Sequence, residues 1–151
     1  MKALLLSSLL LAAQTSPAQR PLDIRGRVHG PSREAALCTI TLLTRCGDTL
    51  LIDQPRSGRF HYRVQREASY LVQFAQDGSI TKEVVVDAAQ LPRTRNAFRV
   101  RAIEFDVVMK QGDPNQRWRY DSPVGFITFR RGSGSMQVLY DHDVEPVAAT
   151  P

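Results

Sequence analysis

Apolar and polar residues alternate with a period of two along most of this 151-residue chain, and this alternation constrains the fold more than any other feature. Successive side chains of a β-strand point to opposite faces, so the alternation predicts strands with one buried face. Turn-forming Gly, Asp, Ser and Pro residues interrupt it at intervals of about ten residues, which is typical of a β-sandwich or barrel. The segments predicted as the first six strands are 22–28, 38–44, 49–53, 58–64, 69–74 and 80–87.

A seventh strand is predicted within residues 97–109, where the alternation changes phase. Apolar residues up to Ala102 share one parity, whereas those from Ile103 to Val107 share the other. Because a shift of one residue exchanges the two faces of a strand, we expect a bulge or break near Arg101–Ala102.

The chain after Lys110 predicts an extension to this sandwich. A connector rich in Pro, Gly and Asn is followed by segments 124–129 and 136–141, which flank the sequence RRGSGS. Two alternating segments around a Gly/Ser-rich loop predict a C-terminal β-hairpin. Residues 146–151 are predicted to form a disordered tail.

The first 18 residues predict export. Lys2 precedes the apolar run 3–13, and residues 16–18 offer the small side chains that a signal peptidase recognises. The apolar run is shorter than the ~20 residues that a membrane span requires. We therefore expect a signal peptide cleaved after Ala18 and a periplasmic or secreted protein. Because the sequence has no cysteine near the cleavage site, we expect no lipid anchor. No later segment is long and apolar enough to predict a membrane span.

The formal charge of the whole chain is +5, and arginine supplies most of its positive charge. Beyond the predicted signal peptide, Lys82 and Lys110 are the only lysines. A basic chain is often a nucleic-acid binder, but export argues against that partner. Anionic glycans, lipid headgroups or an acidic envelope protein are the expected counterparts.

Two cysteines, Cys38 and Cys46, occur in the chain. If the intervening strand is extended, they lie ~26 Å apart at ~3.3 Å per residue, whereas a disulfide requires Cα atoms about 4.4–6.8 Å apart. We therefore expect two unpaired thiols. Together with His29 and His61 they show no recognisable zinc-ligand spacing.

The segment SGRFHYRV, residues 57–64, places His61 between two arginines. Its apolar set is Phe60, Tyr62 and Val64, and its basic set is Arg59, His61 and Arg63. Burying an apolar side chain stabilises the fold by roughly 1.5–3 kcal/mol, whereas burying an unpaired ion costs several kcal/mol. The apolar set should face the core, and His61 should be a solvent-exposed strand residue rather than a catalytic group.

The succession IRGRV, CTITLL, TLLID, SGRFHYRV and SYLVQFAQDGSITKEVVVD, followed by PVGFITF and Tyr140-Asp141, is similar to a known family. It resembles the carboxypeptidase-regulatory-like domain of the transthyretin-like (prealbumin-like) superfamily, as found in small exported proteins of Bacteroidetes. The resemblance implies an all-β, seven-stranded Greek-key transthyretin-like or Ig-like sandwich over residues 19–110, with residues 111–145 as connector and hairpin. It also implies a module that attaches, spaces or binds.

Two chemically active relatives can be compared residue by residue. The isopeptide-forming adhesin repeats carry a lysine in the first strand, and residues 22–28 contain none. The transthyretin-related hydroxyisourate hydrolases end in Tyr-Arg-Gly-Ser and use paired histidines and an arginine. Here Arg131-Gly132-Ser133 is internal and lacks the tyrosine, and the N-terminal histidine motif of those enzymes has no match.

We therefore expect a non-catalytic envelope module that binds a glycan or protein partner or acts as a spacer. The alternative is a small exported hydrolase, which a pocket holding two or more of His29, Arg59, His61 and Arg131 would favour. No nucleophile elbow, phosphate loop or cofactor motif is recognisable.

Three groups of residues are candidate ligand contacts. The basic stretch, formed by the arginines at 93, 95, 99 and 101, either binds an anionic ligand or is a solvated loop and outer strand face. Trp118 and Tyr120 either stack on a sugar or cover a sheet edge. Residues 141–145 either bind a cation through Asp141, Asp143 and Glu145 or form a solvated tail. The candidate ligand surface is Arg93, Arg95, Arg99, Arg101, Trp118 and Tyr120.

Overall fold

The computed structural model describes residues 21–31, 37–66, 68–91, 102–141 and 143–149. The predicted signal peptide and the four arginines of the basic stretch lie outside these residues. Within them the chain is all-β, as predicted, with one short 3₁₀ turn at Ala88–Gln90. The strands are β1 Leu22–His29, β2 Thr39–Thr44, β3 Thr49–Asp53, β4 Arg59–Val64, β5 Ser69–Ala75, β6 Ile80–Asp87, β7 Ala102–Val108, β8 Trp118–Tyr120, β9 Gly125–Phe129, β10 Met136–Tyr140 and β11 Pro146–Ala148.

The strands form two sheets of unequal width. The small sheet has the order β4-β1-β7, with β1 antiparallel to β4 and parallel to β7. The large sheet has the order β10-β9-β6-β5-β2-β3, and β9 runs parallel to β6. The seven predicted strands before residue 111 are confirmed, while the Greek-key connectivity that the resemblance implies stays a prediction.

The core lies between the sheets and follows the predicted alternation. In β4 the apolar residues Phe60, Tyr62 and Val64 are buried, while Arg59, His61 and Arg63 are exposed. The predicted orientation of this strand is therefore confirmed.

Aromatic rings fill the middle of the core. The Phe60 ring centre lies 5.6 Å from those of Phe74 and Phe105. Gly26 makes room for this cluster, because a Cβ there would overlap the Phe105 carbonyl oxygen and approach Phe60 Cζ to 2.8 Å.

The bulge predicted near Arg101–Ala102 falls at the boundary of the described residues, since β7 begins at Ala102. The described part of the chain instead shows a register shift between Leu42 and Leu43, where β2 pairs with β3.

The predicted C-terminal hairpin is confirmed as the antiparallel pair β9–β10. It docks on the sandwich through parallel pairing of β9 with β6. Two predictions beyond residue 110 need correction. The connector contains a strand, β8, which pairs with the start of β6, and the predicted disordered tail contains β11, which pairs with β8. Backbone hydrogen bonding to a neighbouring segment stabilises both short strands.

Both cysteines are free. Cys38 is buried at the entrance to β2, and Cys46 is exposed in the turn before β3. Burial raises the pKa of the Cys38 thiol to about 11. The described part of the chain has no helix long and apolar enough to cross a lipid bilayer.

Candidate functional site

The unequal widths of the sheets create a groove at one side of the sandwich. The small sheet ends at β7, whereas the large sheet continues from β6 through β9 to β10. The inner face of the β9–β10 hairpin therefore extends past the edge of β7. The resulting cavity has a volume of about 340 Å³ and is lined by β6, β7, β8, β9, β10 and the segments that follow β7 and β10.

Lys82 is the unusual residue of this groove. Ile80, Val84 and Val86 alternate along the core-facing side of β6 and are buried. Lys82 has the same parity, so its aliphatic stem leaves the strand toward the interior and its ammonium lies at the groove. The residue is half-buried. The sequence contained this signal, a lysine within an apolar set at period two, but the strand assignment alone did not single it out.

The Lys82 ammonium lacks a carboxylate partner in the described part of the chain. Its Nζ lies 5.8 Å from the centre of the Tyr120 ring, where it makes a cation–π contact. Burial lowers the pKa of Lys82, and the positive charge of Lys110 lowers it further. The groove therefore holds a partly desolvated cation next to a second one.

Backbone hydrogen bonds bring Lys110 to this site. Met109 N donates to His29 O at 2.8 Å, which attaches the chain to the small sheet. Ile80 N donates to Lys110 O at 2.9 Å, which attaches the next residue to the large sheet. The chain thus crosses between the sheets at residues 109–110, and the crossing places Lys110 near the start of β6.

Two carboxylates also line the groove, and each has a local partner. His29 Nε2 lies 3.0 Å from Asp106 Oδ2, and Arg27 N donates to Asp106 Oδ1 at 3.0 Å. The hydrogen bond with His29 is the main reason that the pKa of Asp106 is lowered. Asp141 Oδ1 accepts a hydrogen bond from Asp143 N at 3.0 Å. Neither carboxylate forms an ion pair with a groove lysine in the described residues.

The two aromatic residues of the candidate ligand surface lie on β8. Tyr120 is buried, lines the groove and carries Lys82 on its ring. Trp118 pairs with Ile80 along the edge of β6, is half-buried and is absent from the groove lining. Strand β8 therefore covers part of the β6 edge, as one of the two interpretations expected. The other predicted surface residues, Arg93, Arg95, Arg99 and Arg101, lie outside the described residues.

The outer face of the small sheet is a second polar surface. His61 Nε2 and Arg63 Nε lie 3.3 and 3.4 Å from Asp23 Oδ1. Burial acts to raise the pKa of Asp23, but the hydrogen bonds from His61 and Arg63 outweigh it and lower the value. The partner of His61 is thus a carboxylate on the neighbouring strand.

A shallow depression on this face holds two of the four residues named for the hydrolase alternative, Arg59 and His61. The described residues that line it carry no thiol or hydroxyl group; they are Arg25, Gly26, Arg27, Arg59, Phe60, His61, Glu104 and Asp106.

The sequence Arg130–Ser133 forms part of the turn of the β9–β10 hairpin. Gly132 has a positive φ of 89°, and Gly134 N donates to Arg130 O at 2.9 Å. The similarity to the hydrolase terminus therefore falls on a solvent-facing turn. Among the described residues no group of three or more His, Cys, Asp and Glu is placed to hold a metal ion.

Comparison of the chain with protein-family models and with curated proteins finds no match.

Proposed function

We propose that this chain is a non-catalytic binding module of the exported compartment and that the groove binds an anionic ligand. The observation that carries the proposal is the Lys82 ammonium, which is half-buried on a core-facing strand position and has no carboxylate partner in the described residues. An unpaired, partly desolvated charge costs stability. Such a local conflict with the fold is expected at a functional site.

A second lysine strengthens the proposal. Lys110 faces the same groove, and the repulsion between the two ammonium groups is relieved when an anion binds between them. An anionic glycan, an acidic segment of an envelope protein or a small anion all carry the required charge.

The position of the acid–base groups supports a non-catalytic role. His61 contacts Asp23 on the outer face of the small sheet, whereas His29 contacts Asp106, whose carboxylate also lines the groove. Among the described residues, the groove lining contains no histidine, serine, threonine or cysteine. A hydrolytic site would require a positioned nucleophile or a general base near the bound substrate.

The alternative, a small exported hydrolase of the transthyretin-related type, is favoured by one observation, the shared depression of Arg59 and His61. Hydroxyisourate decay, followed by absorbance with and without the purified protein, tests it directly. We expect the decay rate to be unchanged, and an acceleration that His61→Ala abolishes would establish the hydrolase.

Thermal melts against a panel of anions test the binding proposal. The panel contains phosphate, oligogalacturonate, an acidic peptide and medium-chain carboxylates, and the proteins are the wild type and Lys82→Met. At least one anion should raise the melting temperature of the wild type and leave that of Lys82→Met unchanged. A panel without shifts, or shifts that are equal in the two proteins, would contradict the proposal.

Export is tested by the intact mass of the protein recovered from the periplasmic or secreted fraction. The mature chain should begin at Gln19. Retention of Met1 or an added lipid mass would overturn this part of the proposal.

A further inference from the structure

We propose that the groove binds an amphiphilic carboxylate with an unbranched apolar tail of about eight to ten carbons, its head group lying between Lys82 and Lys110. This inference rests on the proposed function, because it names the ligand class of the same site.

The walls of the groove favour an apolar tail. On the side of the large sheet they are Val84, Ile127, Val138 and Val124, which directly precedes β9, and on the small sheet they are Phe105 and Val107. Among the described residues the lining contains no Ser, Thr, Asn or Gln side chain, and its polar side chains are Lys82, Asp106, Lys110, Tyr120, Tyr140 and Asp141. The hydroxyl groups of a sugar ring that lie against the valine, isoleucine and phenylalanine walls would lose their hydrogen bonds to water without a replacement, which is unfavourable. An alkyl chain has no such requirement.

Two exposed valines mark the path of the tail. Val108, at the end of β7, is 60% exposed, and Val138, on β10, is 37% exposed. They lie on opposite sides of the groove, on the edge strand of each sheet. A tail that runs between them removes both side chains from water, which is the main favourable contribution to apolar association.

The volume of the groove favours a single short tail. A cavity of about 340 Å³ is at the lower end of the range for small-molecule sites. Each carbon of an alkyl chain occupies roughly the volume of one water molecule, ~30 Å³, so a tail of eight to ten carbons is of the same order of size as the cavity. A carboxylate with eight to ten carbons has this size, whereas a membrane lipid with two long chains exceeds it.

The head group completes the electrostatics. A carboxylate placed between the two ammonium groups accepts hydrogen bonds from both and lowers their mutual repulsion. Lys82 keeps its contact with the Tyr120 ring, so the ammonium is held on one face by the ring and on another by the ligand. Lys82 is half-buried, so water screens its attraction to the carboxylate less than it screens the attraction of Lys110, which is exposed.

Isothermal calorimetry with decanoate, at concentrations at which decanoate forms no micelles, tests the inference. Butyrate, decanol and decyltrimethylammonium are the comparison ligands. Decanoate should bind saturably, and butyrate and decanol should each bind at least about tenfold more weakly because one lacks the tail and the other the charge. Lys82→Met should abolish decanoate binding, while Arg56→Met, which removes an exposed turn cation outside the groove, should leave it unchanged.

A second variant blocks the tail without touching either lysine. A Cβ at Gly125 would meet its nearest neighbours, Leu139 O and the Val84 methyl groups, at 3.8–3.9 Å, which is ordinary contact. Gly125→Val should therefore fold, fill the groove and abolish decanoate binding. Unchanged binding in this variant, or equal affinity for decanol, would overturn the inference.

The same measurements separate the two proposals. If oligogalacturonate, phosphate or the acidic peptide binds in a Lys82-dependent manner and decanoate does not, the binding function stands and the amphiphile is wrong. If no anion binds, both are wrong.

Discussion

The ammonium of Lys82 lies over the ring of Tyr120, 5.8 Å from its centre, on the side of β6 that otherwise carries buried aliphatic residues. The ring belongs to β8, a strand of the connector that pairs with β6. The connector thus supplies the aromatic surface that accommodates a cation at the margin of the core. A cation–π contact contributes ~0.5–2 kcal/mol, depending on desolvation, which offsets only part of the cost of an unpaired ammonium.

Lys82→Met should therefore stabilise the free protein. Methionine has a similar length, keeps the aliphatic packing and removes the unpaired charge. We expect the melting temperature to rise by about 2–4 °C at neutral pH, whereas Arg56→Met should leave it unchanged. A large loss of stability in Lys82→Met would show that the ammonium has a stabilising partner.

The difference in stability between Lys82→Met and the wild type should depend on pH in a defined direction. The pKa of Lys82 is lowered in the folded state by burial and by Lys110. Between the folded and unfolded pKa values the unfolded chain binds more protons, so stability rises with pH in that window. The advantage of Lys82→Met should be largest at neutral pH and should decrease as the pH approaches the unfolded value of ~10.4.

Substitutions in β4 should separate its two faces. Phe60→Ala removes the ring that contacts Phe74 and Phe105, and it should destabilise the fold by about 3–5 kcal/mol. His61→Ala removes an exposed side chain whose contact is with Asp23 and should change stability by less than about 0.5 kcal/mol. Paired thermal melts measure both, and the opposite order would contradict the register of the strand.

The two thiols should react at very different rates. Cys46 is exposed, whereas Cys38 is buried with a pKa raised to about 11, so little of its reactive thiolate is present at neutral pH. Mass spectrometry after labelling at pH 8 should show one modified cysteine in the native protein and two after denaturation without reductant. Cys46→Ser should show none in the native state. Rapid labelling of both thiols in the native protein would contradict the burial of Cys38.

Truncation after Glu145 tests whether β11, the strand found where the sequence predicted a disordered tail, stabilises the fold. It removes the pairing of β11 with β8 and the bond from Ala149 N to Arg117 O at 2.7 Å. The melting temperature should fall by a few degrees, and the emission of Trp118, the only tryptophan, should shift to the red as β8 loses its cover. A truncated protein with the same melt and emission would show that β11 contributes no stability.

The sequence predicted those parts of the fold in which one strand face is apolar over several residues. Alternation in β4 and β5 is confirmed at every position, because a strand between core and solvent separates its side chains by polarity. The short strands β8 and β11 were missed, since three residues are too few to show a period. Their pairing depends on partners distant in the sequence.

The groove could not be predicted from the sequence, because its residues come together only through contacts between distant segments. Lys82 was visible as a lysine in an apolar set, and Tyr120 was already a candidate ligand contact. Their meeting with Lys110 depends on the crossing between sheets at residues 109–110, which no local pattern specifies. The open side of the groove depends on one sheet being wider than the other. Likewise, the Asp23 partner of His61 is adjacent only through strand pairing.

A pH titration of the Lys82 side chain tests the central claim most directly. Reductive methylation with ¹³C-formaldehyde labels Lys82 and Lys110, the only lysines outside the predicted signal peptide, and Lys82→Met assigns their NMR signals. The free protein should show a Lys82 pKa below the ordinary value of ~10.4. Lys110→Met should raise it, and saturating decanoate should raise it as well, because a bound carboxylate favours the charged form. The contrary result is a Lys82 pKa at the ordinary value that is the same in Lys110→Met and in the presence of every anion. That result would contradict a ligand site built on an unpaired lysine.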